Sequence, residues 1–213
     1  MKKIVVLISG RGSNMLALAR ASMSQGWPGN IAAVISDRAD APGCDAARAL
    51  GLEVEIVAAR DFADKSEFFD VLGARIGAYR PDLVALAGFM RILPASLTDH
   101  FSGRLLNIHP SLLPSFTGLH THRRALAAGV RVHGASVHYV IPELDAGPIV
   151  VQAAVPVLDG DDEATLAARV LRAEHRIFPL AARWHLEGRL AIAGGRVHLR
   201  DPRADEAQSL WLP

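Results

Sequence analysis

The segment Leu105-Leu106-Asn107-Ile108-His109-Pro110 sets an amide and an imidazole at alternate positions of an otherwise apolar run. Alternate side chains of a strand share a face, so Asn107 and His109 point together near the strand's carboxyl end. Burying such groups without partners costs on the order of a few kcal/mol each, so the placement calls for an internal network or a ligand. An asparagine amide donates to a carbonyl oxygen, and a histidine handles protons near neutral pH. The turn Pro142-Glu143-Leu144-Asp145-Ala146-Gly147-Pro148 can carry a carboxylate to the same place. There Asp145 would orient His109 and stabilise its charged form, with Gly147 allowing the sharp turn before the next strand. The alternative is structural: Asn107 and His109 tie neighbouring loops together and Asp145 only forms a turn.

A second constellation is Ser9-Gly10-Arg11-Gly12-Ser13-Asn14, which follows an apolar run and leads into a helical pattern. Backbone N–H groups and the positive end of a helix converge there, which makes an anion cradle. A dinucleotide fingerprint would place a third glycine where Met15 stands, and a P-loop would require Gly-Lys-Ser/Thr, so a monophosphate fits better than NAD or ATP. The bland reading is a strand-to-helix turn in which Ser13 or Asn14 caps the helix.

These groups need a frame. Apolar runs rich in Val and Ile recur at 4–8, 31–35, 54–57, 83–87 and 105–108, each followed by a turn or a helical stretch, which indicates parallel strands covered on both faces. Helices fit 14–25, 42–50 and 64–79, stopped by Gly51 and Pro81. Past Pro110 comes a loop dense in Pro, Ser, His and Gly, then a short helix from Arg123 and strands near 135–140 and 149–157. A long helix over about 163–187 places Leu166, Val170, Ile177, Leu180 and Trp184 on one face, and a hairpin follows around Gly194-Gly195. Glu174 falls near that apolar face, where an unpaired carboxylate is costly, so it needs a cation; Arg172, Arg176 or Arg183 on the same helix would be the structural choice. The fold class is α/β, a three-layer doubly wound, mostly parallel sheet with a Rossmann-like amino-terminal half.

The 213 residues are half hydrophobic and carry a net charge of +1. That supports one compact domain over 1–213, with the anion-cradle loop in a half at about 1–103 and the Asn107, His109 and Asp145 groups in a half at about 104–213. Positive residues are scattered, so no nucleic acid partner is expected, and no apolar stretch is long enough to cross a bilayer. The lone Cys44 and an opening MKKIVVLISG that reads as a buried strand point to the reducing cytoplasm.

In order and spacing, ISGRGSN, AGFMRIL, LLNIHPSLLP, GLHTHRRAL, ELDAGPIV and the pair Glu174-His175 resemble folate-dependent glycinamide ribonucleotide formyltransferases, over nearly the whole chain. The segment NIHPSLLP belongs to the wider formyltransferase superfamily, whereas the GSN loop with GLHTHR points to the purine enzyme. The resemblance implies transfer of the formyl group of 10-formyltetrahydrofolate to the amine of glycinamide ribonucleotide. The products are formylglycinamide ribonucleotide and tetrahydrofolate, in de novo purine (IMP) synthesis. It assigns catalysis to Asn107, His109 and Asp145. It assigns the ribonucleotide to Gly12, Ser13, Asn14, Leu171, Arg172, Ala173 and Glu174. It assigns the folate to Lys65, Met90, Arg91, Ile92 and Leu93, to Asn107 again, and to Ile141, Pro142, Glu143, Leu144 and Asp145. Met90, Ile92 and Leu93 would form an apolar slot for the pterin with backbone groups reading its edge, and Arg91 facing solvent. Ser115 and Thr117 depart from the Lys and Pro common in that loop. No metal is implied, and the expected state is a monomer or weak homodimer acting on small molecules.

Other readings remain. Formyltetrahydrofolate hydrolase shares the Asn, His and Asp chemistry but usually carries an extra amino-terminal domain, and methionyl-tRNA formyltransferase carries a basic carboxy-terminal one. His109, His120, His122, His133, His138 and Asp145 would suit a metal-dependent hydrolase, although His120-x-His122 is not a known hydrolase pattern. Asp37 could serve as the ribose-binding acid of a dehydrogenase, against which Met15 counts. A non-catalytic folate binder would have no need of the trio.

Overall fold

The computed structural model describes residues 1–203 and Glu206. Its centre is a seven-stranded sheet in the order β3-β2-β1-β4-β5-β6-β7. The strands are β1 (Lys2–Ile8), β2 (Gly29–Ser36), β3 (Val54–Ile56), β4 (Leu83–Leu86), β5 (Leu105–His109), β6 (Val132–Tyr139) and β7 (Ile149–Pro156). β1 to β5 pair in parallel, and β6 and β7 are antiparallel. The helices are α1 (Ser13–Ser24), α2 (Pro42–Ala49), α3 (Lys65–Ala78), α4 (Ala95–His100), α5 (Thr121–Ala127) and α6 (Glu163–Leu186). The expected tail hairpin forms as β8 (Leu190–Ala193) and β9 (Arg196–Leu199).

The period of two along the strands builds two cores. Ile4, Val6 and Ile8 of β1, with Leu83 and Ala85 of β4, face α1, α2 and α6. Val5, Leu7, Val84 and Leu86 face Phe68, Leu72 and Ile76 of α3 and Leu97 of α4. Central strands covered on both faces are apolar throughout, which is why they stand out in the sequence. α6 begins with a capping box between Asp162 and Thr165 and buries Leu166, Val170, Ile177 and Trp184, with Leu180 only half-buried. α4 and a single 3-10 turn at Ala59–Asp61 have no counterpart in the sequence reading; both are too short for a helical period to show. Among the described residues no helix is long and apolar enough to cross a membrane.

The chain runs from β1 outward to β3 and then returns to β4 on the other side of β1. The strand order therefore reverses between β1 and β4, and the crevice beyond their carboxyl ends is where open α/β sheets bind ligands.

Candidate active site

The glycine loop closes over the end of β1. Gly12 has φ 72°, and a Cβ there would stand 2.9 Å from the Cα of Gly43 at the start of α2. Both demands select glycine: left-handed backbone and close approach. Gly43 N–H donates to the Gly10 carbonyl at 3.0 Å, so α2 buttresses the loop. Neither Ser13 nor Asn14 caps α1 by its side chain. Asn14 instead turns inward and donates through Nδ2 to Glu174 Oε2 at 2.6 Å, across 160 residues. Its own Oδ1 is buried without a partner.

That contact stands where the structural choice put a helix-face salt bridge to Glu174. Its carboxylate is buried on α6, its partner is the Asn14 amide, and none of Arg172, Arg176 or Arg183 pairs with it; Arg183 binds Glu187. Burial raises the Glu174 pKa, and the Asn14 hydrogen bond opposes the rise. Ala173 is buried beside it, Leu171 is half-buried, and Arg172 is exposed on the outer face of the helix.

Asn107 and His109 stand at the end of β5 as expected, and antiparallel pairing sets His138 across from Asn107 and Ser136 across from His109. Asn107 Nδ2 lies 3.1 Å from His138 Nε2, and His138 Nδ1 lies 2.9 Å from the Tyr139 carbonyl. A carbonyl can only accept, so the proton sits on Nδ1, Nε2 is the acceptor, and the Asn107 amide is fixed with one N–H free. Burial pushes the His138 pKa down, which keeps it neutral for this task.

His109 Nε2–H donates to the Phe116 carbonyl at 3.0 Å, while Nδ1 faces Asp145 Oδ2 at 3.5 Å. The loop carbonyl therefore sets the ring's orientation, a role the sequence reading gave to Asp145. At 3.5 Å the carboxylate faces Nδ1 without a direct hydrogen bond, so both retain capacity toward the cleft. Asp145 Oδ2 accepts from the Gly118 N–H at 2.8 Å, and Oδ1 lies 3.9 Å from His138 Nε2. The left-handed residue of this turn is Asp145 itself, at φ 53°. Gly147 is required for a different reason from the turn expected of it: a Cβ there would overlap the Tyr139 carbonyl oxygen.

The remaining assigned residues divide. Lys65, Met90, Arg91 and Ile92 share the wall of a groove of about 530 Å³ with Phe62, Phe68 and Phe69. Met90 and Ile92 expose their side chains, but Leu93 is buried in the core between α3 and α4 and offers no apolar surface. Arg91 does not simply face solvent: its Nε donates to buried Asp37 at 2.5 Å and its guanidinium lies over the Phe68 ring. Asp37, the acid of the dehydrogenase reading, is thus engaged by Arg91. Ile141 is half-buried, while Pro142, Glu143 and Leu144 are exposed above the cleft. Among the described residues no three His, Cys, Asp or Glu side chains converge to hold a metal ion. His122 and His133 pack edge to face instead.

Phe116 has no place in the sequence reading, and His138 and Asp37 enter it only through the metal-hydrolase and dehydrogenase alternatives. The signal for His138 was present, since Ser136 and His138 alternate through an apolar strand as Asn107 and His109 do. A backbone carbonyl such as that of Phe116 leaves no such trace.

A formyl transferase family pattern matches residues 2–182. The chain is 49% identical to a phosphoribosylglycinamide formyltransferase of Escherichia coli over 189 residues, covering 89% of each chain. It is 41% identical over 197 residues to the human trifunctional purine biosynthetic protein adenosine-3, covering 92% of this chain and 19% of that one. A glycinamide ribonucleotide transformylase of Symbiobacterium toebii superposes with a TM-score of 0.92 at 47% identity, covering 94% and 95% of the chains. A formyltetrahydrofolate deformylase of Pseudomonas syringae also superposes, with a TM-score of 0.87 at 31% identity, covering 94% of this chain and 67% of that one.

Proposed function

The chain belongs to the formyl transferase family, and from that premise we propose how it formylates glycinamide ribonucleotide: Asn107, His109 and Asp145 act at the formyl carbon of 10-formyltetrahydrofolate. The activity is that of the phosphoribosylglycinamide formyltransferases, a step of purine biosynthesis. The observation that carries the residue roles is the convergence of the trio around His138 at the carboxyl end of β5, the same end of the parallel strands from which the glycine loop leaves β1.

The substrate amine attacks the formyl carbon, a C–N bond forms and the carbonyl electron pair moves onto oxygen. The free Asn107 N–H and protonated His109 Nδ1 donate to that oxyanion; one such donor is worth about 2.7–4 kcal/mol of barrier. Collapse breaks the bond from carbon to the folate nitrogen, which takes up the proton that the amine gives up. Asp145, held by Gly118 N–H and facing His109 Nδ1, passes that proton through water. His138 holds Asn107 in register as a positioning residue.

The loop Gly12-Ser13-Asn14 takes the phosphate of the ribonucleotide, and Glu174 with the wall at Leu171–Ala173 takes its glycinamide end. The folate lies along Met90–Ile92 and the exposed turn Ile141–Asp145, with its glutamate tail toward Lys65. The phosphate half, about 1–103, thus also supplies one wall for the folate, and the catalytic groups come from about 104–213. We place the enzyme in the cytoplasm, as a monomer or weak homodimer without resident metal.

Release of tetrahydrofolate from 10-formyltetrahydrofolate, followed by absorbance with and without glycinamide ribonucleotide, tests the reading. Release only with the acceptor supports transfer; equal release without it makes the protein a deformylase and leaves the phosphate loop without a role.

A further inference from the structure

Asp37 lies at the carboxyl end of β2, 54 residues from Arg91, and takes no part in the reaction above. Its side chain is only 3% exposed, and Oδ2 accepts from Arg91 Nε. A buried carboxylate paired to one guanidinium is a poor source of stability compared with an apolar pair of the same size. What such a pair does supply is a fixed geometry.

The segment so fixed is Gly88–Leu93. Ser9, the residue after β1, donates its N–H to the Gly88 carbonyl at 3.2 Å and accepts the Met90 N–H on Oγ at 2.9 Å. Three residues on, Leu93 is sunk in the core. Between these anchors Met90 and Ile92 are 69% and 66% exposed, so their own packing cannot hold the backbone that carries them. Arg91 lies between them, clamped by Asp37 on one side and stacked over Phe68 of α3 on the other.

We infer that Asp37 is a positioning residue for the formyl donor: through Arg91 it holds the exposed Met90–Ile92 backbone in the shape that receives the folate. The inference rests on the reading of that groove as the folate site. It concerns donor binding alone, because Asp37 touches neither the trio nor the Asn14–Glu174 pair.

The test is steady-state kinetics of Asp37→Ala and Asp37→Asn, with tetrahydrofolate Kd from fluorescence titration as a second readout. Asp37→Ala should raise donor KM and Kd about tenfold, the loss of a hydrogen bond to a charged group. Asp37→Asn, whose amide oxygen still accepts from Arg91, should raise them only about two- to threefold. kcat and the ribonucleotide KM should stay within about twofold of wild type, and Asp40→Ala, in the same loop, should change nothing. A folded Asp37→Ala protein with wild-type donor KM overturns the inference, as does one in which both KM values and kcat worsen together. If Asp37→Ala does not fold, Asp37→Asn decides: wild-type donor affinity overturns the inference. The paired variant Met90→Ala/Ile92→Ala separates the two readings. Unchanged donor KM there removes the groove as the folate site and this inference with it; a raised KM beside an unaffected Asp37→Ala removes only the role of Asp37.

Discussion

Asn14→Ala takes from Glu174 its one hydrogen-bond partner among the described residues, and the cost should depend on pH with a defined sign. Burial holds the Glu174 pKa above its ordinary 4.5, and Asn14 is the group that limits the rise. A raised folded pKa means that the group's contribution to stability is full at low pH and lost as pH climbs through the folded value. Removing Asn14 raises that value further, so the variant loses more over the climb. Below the folded pKa, where Glu174 holds its proton, the substitution deletes a neutral hydrogen bond, worth about 1 kcal/mol. Above it, the substitution strands a buried carboxylate and deletes a charged hydrogen bond, about 1.5–3 kcal/mol. Urea unfolding of both proteins across a series of pH values gives the difference directly. Equal destabilisation at every pH would refute the reasoning. The same variant should raise KM for glycinamide ribonucleotide, and an unchanged value would remove Asn14 from the phosphate loop.

His109→Ala and Asp145→Ala should each lower kcat by about 100-fold or more with little change in either KM, since both groups act on the transition state; a folded variant with near-normal kcat drops that residue from the mechanism. Gly147→Ala forces a Cβ into the Tyr139 carbonyl and must displace the turn carrying Asp145. Its kcat should fall about 100-fold with the far-ultraviolet circular dichroism intact, and a normal kcat would show that the turn tolerates the methyl. Burial pushes His133 down to about 4 from 6.5, so the unfolded chain binds the extra proton between those values and stability falls as pH drops through them. His133→Gln should flatten that fall by up to about 1.4 kcal/mol per pH unit in urea titrations, and an unaltered slope would count against its being buried neutral.

The strands of the doubly wound half were legible because burial on both faces leaves unbroken apolar runs such as Ile4–Ile8. Asn107 and His109 were legible as interruptions of such a run. The turn carrying Asp145 was legible as a carboxylate able to reach the same site, although nothing local says where a turn docks. Glu174 shows the limit most plainly. Its helical neighbours at three- and four-residue spacing suggested arginines, and its partner came from another helix 160 residues away. Arg91 is exposed as expected, but its ion pair was hidden for the same reason: the buried carboxylate that holds it, Asp37, follows β2. The Leu93 side chain faces the core and not the slot; a leucine in a loop carries no mark of which way it points.

The antiparallel pairing of β6 has a consequence for how the chain tolerates length changes. Asn107 meets His138, and His109 meets Ser136, only because the strands hold one register. A shift of one residue in β6 would turn Val137 toward Asn107 and send His138 and Ser136 to the opposite face. The connection from α5 to β6, at Ala128–Arg131, is mostly exposed and ends before the first paired residue. Extra residues can accumulate there at little cost. A single deletion between Ser136 and His138 cannot be absorbed, since it uncouples the amide from the imidazole that aims it while leaving the sheet otherwise able to form.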